Sequence, residues 1–209
     1  MKDYCLFIPY VNRPDLLARA VASVCELGPW IINNSASAPA IDGGSLVLPS
    51  VPLTFSQSMN FGIHHAKSCG LKFCFFLHSD AEAAPGVGLQ LLHGARQASE
   101  RWGAIFTNYD AFVVFNVEAC HAVGDWDVHL PWYFADNDFY RRLRLAGYPT
   151  LESNLEVHHE PSQTLRADAQ LSFVNRVVFP LHRQYYAAKW GGEPGRERWD
   201  KPFDGQIPE

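Results

Sequence analysis

Residues 71–77, Leu-Lys-Phe-Cys-Phe-Phe-Leu, are apolar at almost every position, and residues 4–9, Tyr-Cys-Leu-Phe-Ile-Pro, repeat the pattern. Consecutive side chains on a strand point to opposite faces, so such runs describe strands buried on both sides. A two-faced strand needs helices above and below it, which restricts the fold more than any other feature of the chain. The helices are legible. Asn12-Arg13-Pro14-Asp15 opens one in which Leu16, Leu17, Ala20, Val21 and Val24 recur at helical spacing, and residues 58–69 read as another. Trp30-Ile31-Ile32 gives a second short strand, with one more at 46–48 inside a loop over 36–52. Strand, helix, strand, helix, strand implies an α/β domain with a mostly parallel central sheet flanked by helices.

The second half is more mixed. Ala104–Thr107, Phe112–Asn116 and 155–158 read as strands and 135–146 as a helix. A long C-terminal helix is expected from about 163, with Leu165, Ala169, Phe173, Val177, Leu181 and Tyr185 at i+4 spacing on its packed face. With 47% hydrophobic and 19% charged residues over 209 positions, one compact domain can bury a sizeable core. The net charge of -5 argues against a nucleic-acid partner, which would call for a basic excess. Five cysteines with no C-x-x-C pair read as buried, reduced thiols of a cytoplasmic protein. The first apolar run stops at Pro9, too short for a signal peptide, and no run approaches the ~18 residues of a membrane span.

In parallel sheets, ligands sit beyond the carboxyl ends of the strands. That rule nominates Pro9–Arg13, Asn33–Ser35 and His78–Glu82. Leu77-His78-Ser79-Asp80 follows the most buried strand; Asp80 offers a carboxylate to Mg²⁺ or Mn²⁺ and His78 a nitrogen suited to Mn²⁺. As structure alone, the same residues make a polar turn capping the next helix. Asp136 and Asp138 stand at a helix N-terminus, where the dipole favours carboxylates; one of them could serve as a general base. An ordinary well-capped helix would look the same. In His158-His159-Glu160, strand alternation lets one histidine face a site and turns the other away. His64-His65 lies within a helix and reads as surface or packing. Lys189, before Gly191-Gly192, could neutralise a phosphate or simply end the last helix.

The order of these motifs resembles the family 2 type of nucleotide-diphospho-sugar glycosyltransferase, over nearly the whole chain. Phe7–Arg13 is similar to that family's opening strand and loop, and Asn60-Phe61-Gly62 to its Asn-x-Gly helix. Leu77-His78-Ser79-Asp80 stands where the family has its Asp-x-Asp metal motif, and Asp125-Trp126-Asp127 resembles the stretch before the acceptor helix. Asp136-Asn137-Asp138 with Arg142 and Ala146-Gly147-Tyr148 is similar to the base motif, and His158 to a later metal histidine. Two departures stand out: His78 replaces the first aspartate of the metal motif, and Ala135 the glutamate before the base. Asn33-Asn34 stands where members often carry an acidic pair.

The resemblance implies a single GT-A, Rossmann-like domain, with residues 1–107 holding the nucleotide-sugar and 108–209 the acceptor side. It implies inverting transfer of a sugar from a UDP- or dTDP-type donor to a saccharide or lipid-linked saccharide acceptor. Pro9, Tyr10, Arg13, Asn34, Asn60, His78, Ser79 and Lys189 would be near the donor. Asp80 and His158 would hold Mn²⁺ or Mg²⁺, Asp136 would be the base, and Trp126, Trp132 and Asp138 would lie on the acceptor side. Trp190 is a further candidate sugar wall. Membrane association would be at most peripheral, and an anchor or second activity would come from a partner subunit. Two other readings use the same residues: a catalytically silent sugar-nucleotide-binding module, and a metal-dependent hydrolase or nucleotidyltransferase.

Overall fold

The computed structural model describes residues 2–98, 101–160 and 169–205. Its centre is a seven-stranded sheet in the order β3-β2-β1-β4-β7-β6-β8. The strands are β1 (Tyr4–Tyr10), β2 (Trp30–Asn33), β3 (Ser45–Val47), β4 (Phe73–Leu77), β6 (Ala104–Phe106), β7 (Phe112–Asn116) and β8 (Thr150–Glu152). Four of the six pairings are parallel, and only β7 runs against its neighbours β4 and β6. Two further strands, β5 (Ala81–Ala83) and β9 (Val157–His159), form a separate antiparallel ribbon.

The continuous apolar runs divide by parity, as a strand with two buried faces must. Leu6, Ile8 and Tyr10 of β1 join Phe73, Phe75 and Leu77 of β4 in one core, covered by α1 (Pro14–Ser23) and α3 (Val87–Gln97). Cys5 and Phe7 join Cys74 and Phe76 in the other core, covered by α2 (Phe55–Ser68), α4 (Val117–Val123) and α5 (Ala135–Leu145). Tyr186 and Trp190, at the end of α6 (Ala169–Trp190), complete that second core. Gly62 lets α2 lie directly on the sheet: a Cβ there would stand 2.9 Å from both Phe7 and Phe76. Among the described residues, no helix is long and apolar enough to cross a membrane.

Several elements differ from the sequence expectation. Helix α2 begins at Phe55 rather than 58, because Thr54 and Gln57 form a reciprocal capping box. Residues 81–83, expected as part of a polar turn, are strand β5, and β8 was not expected; three-residue strands leave almost no periodic signal. The stripe proposed for the long helix is not its buried side. Leu165 lies outside the described residues, whereas Phe173, Val177 and Leu181 are exposed and the buried positions are His182, Tyr186, Lys189 and Trp190. Of the five cysteines, Cys5, Cys74 and Cys120 are buried, but Cys25 and Cys69 are exposed.

Candidate active site

A cavity of about 380 Å³ opens beyond the carboxyl ends of β1, β2 and β4. Pro9, Val11 and Asn34 reach it from the first two strands, and His78, Ser79 and Asp80 from the third. Phe55, Ser58 and Met59 of α2 form one wall, Trp132 and Tyr133 another, and Leu171, Val174 and Asn175 of α6 cover it. Asp136 and Tyr140 enter from the first turns of α5, and Asp110 from a turn between β6 and β7.

The β5–β9 ribbon decides which histidine joins this cavity. Ala81 pairs with His159, and Glu82 with His158. Ala81 and Ala83 are buried and Glu82 is exposed, so the face carrying His159 turns inward. The His158 side chain is 66% exposed and meets Glu160, whereas that of His159 is 10% exposed with Nε2 3.3 Å from Asp80 Oδ1. His159, not His158, is the inward residue, which corrects the sequence-based choice. The rings of His78 and His159 are 5.2 Å apart.

His78, Asp80 and His159 bring two imidazole nitrogens and one carboxylate oxygen within 4.8 Å of one another. Donors on opposite sides of a single ion held at ~2.0–2.2 Å stand ~4.4 Å apart, so this set fits one divalent cation after small side-chain movements. His159 Nδ1 is buried without a hydrogen-bond partner among the described residues, leaving that ring uncommitted on one edge. Two nitrogens suit Mn²⁺ better than Mg²⁺, which prefers oxygen. Burial lowers the pKa of His78, which keeps it a neutral ligand-competent ring. Burial works against the Asp80 carboxylate, but the hydrogen bond from His159 and the neighbouring imidazoles outweigh it, and its pKa falls below the usual value.

Asp136 is held differently. Desolvation, then the charge of Asp110, raises its pKa to about 6, against backbone N–H donors at the helix start. Asp110 is raised to about 6 as well, by desolvation that outweighs the hydrogen bond from Tyr140. Tyr140 donates to Asp110 Oδ2 at 3.0 Å, and its ring is stacked on Phe106. Two desolvated carboxylates in one cavity, each pushed up to about 6, can take protons near neutral pH.

Other expected site residues lie elsewhere. Tyr10 has the opposite parity to Pro9 and is packed in the core beneath α1. Arg13 grips Asp15 with two bonds of 2.9 and 2.6 Å and stays outside the cavity lining, although Asp80 and Glu160 are near enough to raise its pKa further. Asn60 does not face a ligand: it accepts from the Trp126 backbone N–H at 2.7 Å and donates to the Trp126 carbonyl at 3.0 Å. Asn34 lines the cavity, but Leu53 N–H and Ser58 Oγ already occupy its amide, at 2.8 and 3.3 Å. Trp126 lines the cavity, but it is buried and stacked on Phe139 at 4.5 Å, which closes that face to a sugar; Trp132, also in the lining and 43% exposed, remains open.

Lys189, Asp138 and Trp190 form a buried clamp instead of ligand walls. Lys189 Nζ lies 2.7 Å from Asp127 Oδ2 and 2.6 Å from Asp138 Oδ1. Asp138, fully buried, also accepts from Trp190 Nε1 at 2.8 Å and Arg142 Nε at 2.9 Å. Asp136 and Asp138 therefore diverge, as two residues at i, i+2 on a helix must. Sequence reasoning missed His159 as the inward ring, and also missed Asp110 and Tyr140. For Asp110 the available signal was weak: an Asn-Tyr-Asp turn between two apolar strands.

No protein-family model matches the sequence, and no curated protein matches it. Solved structures do. Glucosyl-3-phosphoglycerate synthase from Mycobacterium tuberculosis, with Mg²⁺ and UDP, superposes with a TM-score of 0.57 at 12% identity over 85% of this chain and 79% of that one. The same enzyme with Mn²⁺, UDP-glucose and phosphoglyceric acid gives 0.55 at 12% identity, over 87% and 80%. A protein from Desulfovibrio desulfuricans, described as a nucleotide-diphospho-sugar transferase, gives 0.50 at 14% identity, over 88% and 99%. This chain has the GT-A-like fold of nucleotide-diphospho-sugar transferases.

Proposed function

We propose that the chain is an inverting glycosyltransferase of the family 2 type, transferring a sugar from a UDP- or dTDP-type donor to an acceptor hydroxyl. The observation that carries this reading is the joint presence, in one cavity at the carboxyl edge of the sheet, of Asp136 and the His78–Asp80–His159 group. Residues 1–107 would form the donor side and 108–209 the acceptor side, with Pro9 and Ser79 beside the nucleotide-sugar and Trp132 beside the acceptor. A Mn²⁺ or Mg²⁺ ion on His78, Asp80 and His159 would supply charge neutralisation to the diphosphate leaving group.

This chain's own residues do the rest. Asp136 takes the proton of the acceptor hydroxyl. The acceptor oxygen forms its bond to the anomeric carbon, and the sugar–phosphate bond breaks with its electron pair going to the diphosphate. The raised pKa of Asp136 suits a base working near neutrality. Leu171 and Val174 put apolar side chains over the cavity, where they would help keep water from the reacting carbon of a bound donor. The test is donor consumption with a panel of UDP- and dTDP-sugars and hydroxyl acceptors, with and without Mn²⁺. Metal-dependent turnover that disappears in Asp136→Asn is the expected result. Turnover surviving that substitution would overturn the base assignment.

A second reading is a silent nucleotide-sugar-binding module, favoured by the buried Ala135 that stands where the resemblance expects a glutamate beside the base. UDP-sugar binding without turnover on any acceptor would favour that module.

A further inference from the structure

The turn between β6 and β7, residues 107–111, reaches three places at once: the end of β4, strand β9 and helix α5. Thr107, fully buried, closes its base: Oγ1 accepts from the Phe112 N–H at 3.1 Å and donates to the Phe112 carbonyl at 3.2 Å. Three bonds leave from there. The Ala111 carbonyl accepts from the His78 N–H at 3.0 Å, one residue beyond the Leu77–Phe112 pair that ends the β4–β7 ladder. Asp110 accepts from Tyr140 of α5, one helical turn after Asp136. It is held at φ 50, a left-handed conformation that a non-glycine residue keeps when its surroundings enforce it. Asn108 Nδ2 donates to the Val157 carbonyl of β9 at 3.1 Å.

The last of these bonds bears on His159. The β5–β9 ribbon has three residues in each strand, too little to stand by itself. Its own bonds join the Ala84 N–H to the Glu156 carbonyl and the Glu160 N–H to the Asp80 carbonyl, at 3.1 and 3.3 Å. In an antiparallel pair the alternate residues turn their backbone groups outward, here Ala83 with Val157 and Ala81 with His159. Other elements catch the Ala83–Val157 pair from both edges: Ser23 Oγ of α1 accepts from the Ala83 N–H at 3.1 Å, and Asn108 donates to Val157. Val157 stands two residues before His159, so their side chains share a face and an anchor on the first sets the reach of the second. We propose that the 107–111 turn is the positioning element of the metal group, in which Asn108 sets His159 through β9 as the Ala111 carbonyl sets His78. This rests on the metal-dependent transferase reading of the cavity.

The probe is Mn²⁺ alone, titrated into the full chain and followed by electron paramagnetic resonance. Asn108→Ala should weaken its binding about tenfold, the scale of losing a group that orients a ligand. The melting temperature should drop by no more than about 4 °C, the loss of one hydrogen bond. Asn108→Gln keeps an amide donor on a longer stem and should recover at least about threefold of the Mn²⁺ affinity. Tyr140→Phe, which frees the turn from α5, should weaken Mn²⁺ about threefold. In the metal-free chain, hydrogen exchange at the Ala84 and Glu160 amides should quicken about tenfold in Asn108→Ala and stay unchanged at Phe75 of β4. Unchanged Mn²⁺ affinity in Asn108→Ala, a loss that Asn108→Gln does not recover, or a loss without faster ribbon exchange would overturn the proposal. Failure of the parent chain to bind Mn²⁺ would strike the metal reading itself, and the metal-free exchange would still decide whether Asn108 holds β9.

Discussion

Two pairs of aspartates lie on either side of α5 and are treated in opposite ways. Asp127 and Asp138 are saturated: Lys189 bridges them, and Tyr185, Trp190, Arg142 and the His129 N–H supply the remaining donors. Burial opposes the Asp127 charge, but the Lys189 and backbone bonds prevail and hold its pKa at about 2. Asp110 and Asp136 are starved: the described residues give Asp110 one side-chain donor, Tyr140, and both acids are pushed up to about 6. Saturation marks carboxylates that join elements. Starvation marks carboxylates whose partners arrive with a ligand.

The largest expected effect comes from the starved pair. Asp136→Asn should lower transfer by ~10²–10⁴-fold with the fold intact, because a positioned base contributes about that much; steady-state rates beside a circular dichroism melt would check both halves. The saturated pair should show the reverse profile. Asp138→Ala would leave Lys189 and Arg142 short of their counter-charge in a buried clamp, costing about 3–5 kcal/mol in urea denaturation. If the two substitutions had interchangeable effects, the contrast between the pairs would collapse.

Metal titration sharpens the site half of the comparison. His159→Ala should weaken Mn²⁺ binding at least about tenfold, measured by electron paramagnetic resonance, whereas His158→Ala should leave it unchanged. Equal losses would mean the ribbon register does not select the ligand.

The smallest effects are in pH dependence, and their signs differ. As the proposed base, Asp136 would have to be deprotonated to act, so the rate should fall about tenfold per unit as pH drops below about 6. For stability, a lowered folded-state pKa means that Asp127's contribution is present above about 4 and lost as pH falls toward about 2. A raised folded-state pKa works the other way: the Asp110 carboxylate is tolerated as the acid at pH 4 and becomes a burden as pH rises through about 6. Asp110→Asn should therefore be more stable than the parent by about 1–2 kcal/mol at pH 7.5, with the gain vanishing near pH 4. A uniform loss at every pH would count against the starved state of that residue.

Much of the fold was legible because its strands are apolar on both faces and its helices carry a 3.6-residue period. Parity alone could also have removed Tyr10 from the site once Pro9 was placed there. The short ribbon and β8 escaped, since three residues cannot display a period. The exposed stripe on α6 misled for a related reason: i+4 recurrence says that a face is apolar, not what covers it. Asp80 and Asp136 were legible as acids beyond a buried strand and at a helix start. Lys189 was misplaced because a cation near a helix end looks the same whether it awaits a phosphate or is enclosed by two aspartates.

By itself the sequence determined the alternation of two-faced strands and helices, and with it the edge of the sheet where chemistry could gather. Those are local properties, written in side-chain order. The tertiary structure alone decided that His159 rather than His158 turns inward, that Asp138 is consumed while Asp136 is not, and that Asp110 stands beside it. Each of those outcomes depends on a partner between 30 and 78 residues away along the chain, and the free energy of a buried charge is set by the groups that surround it in space.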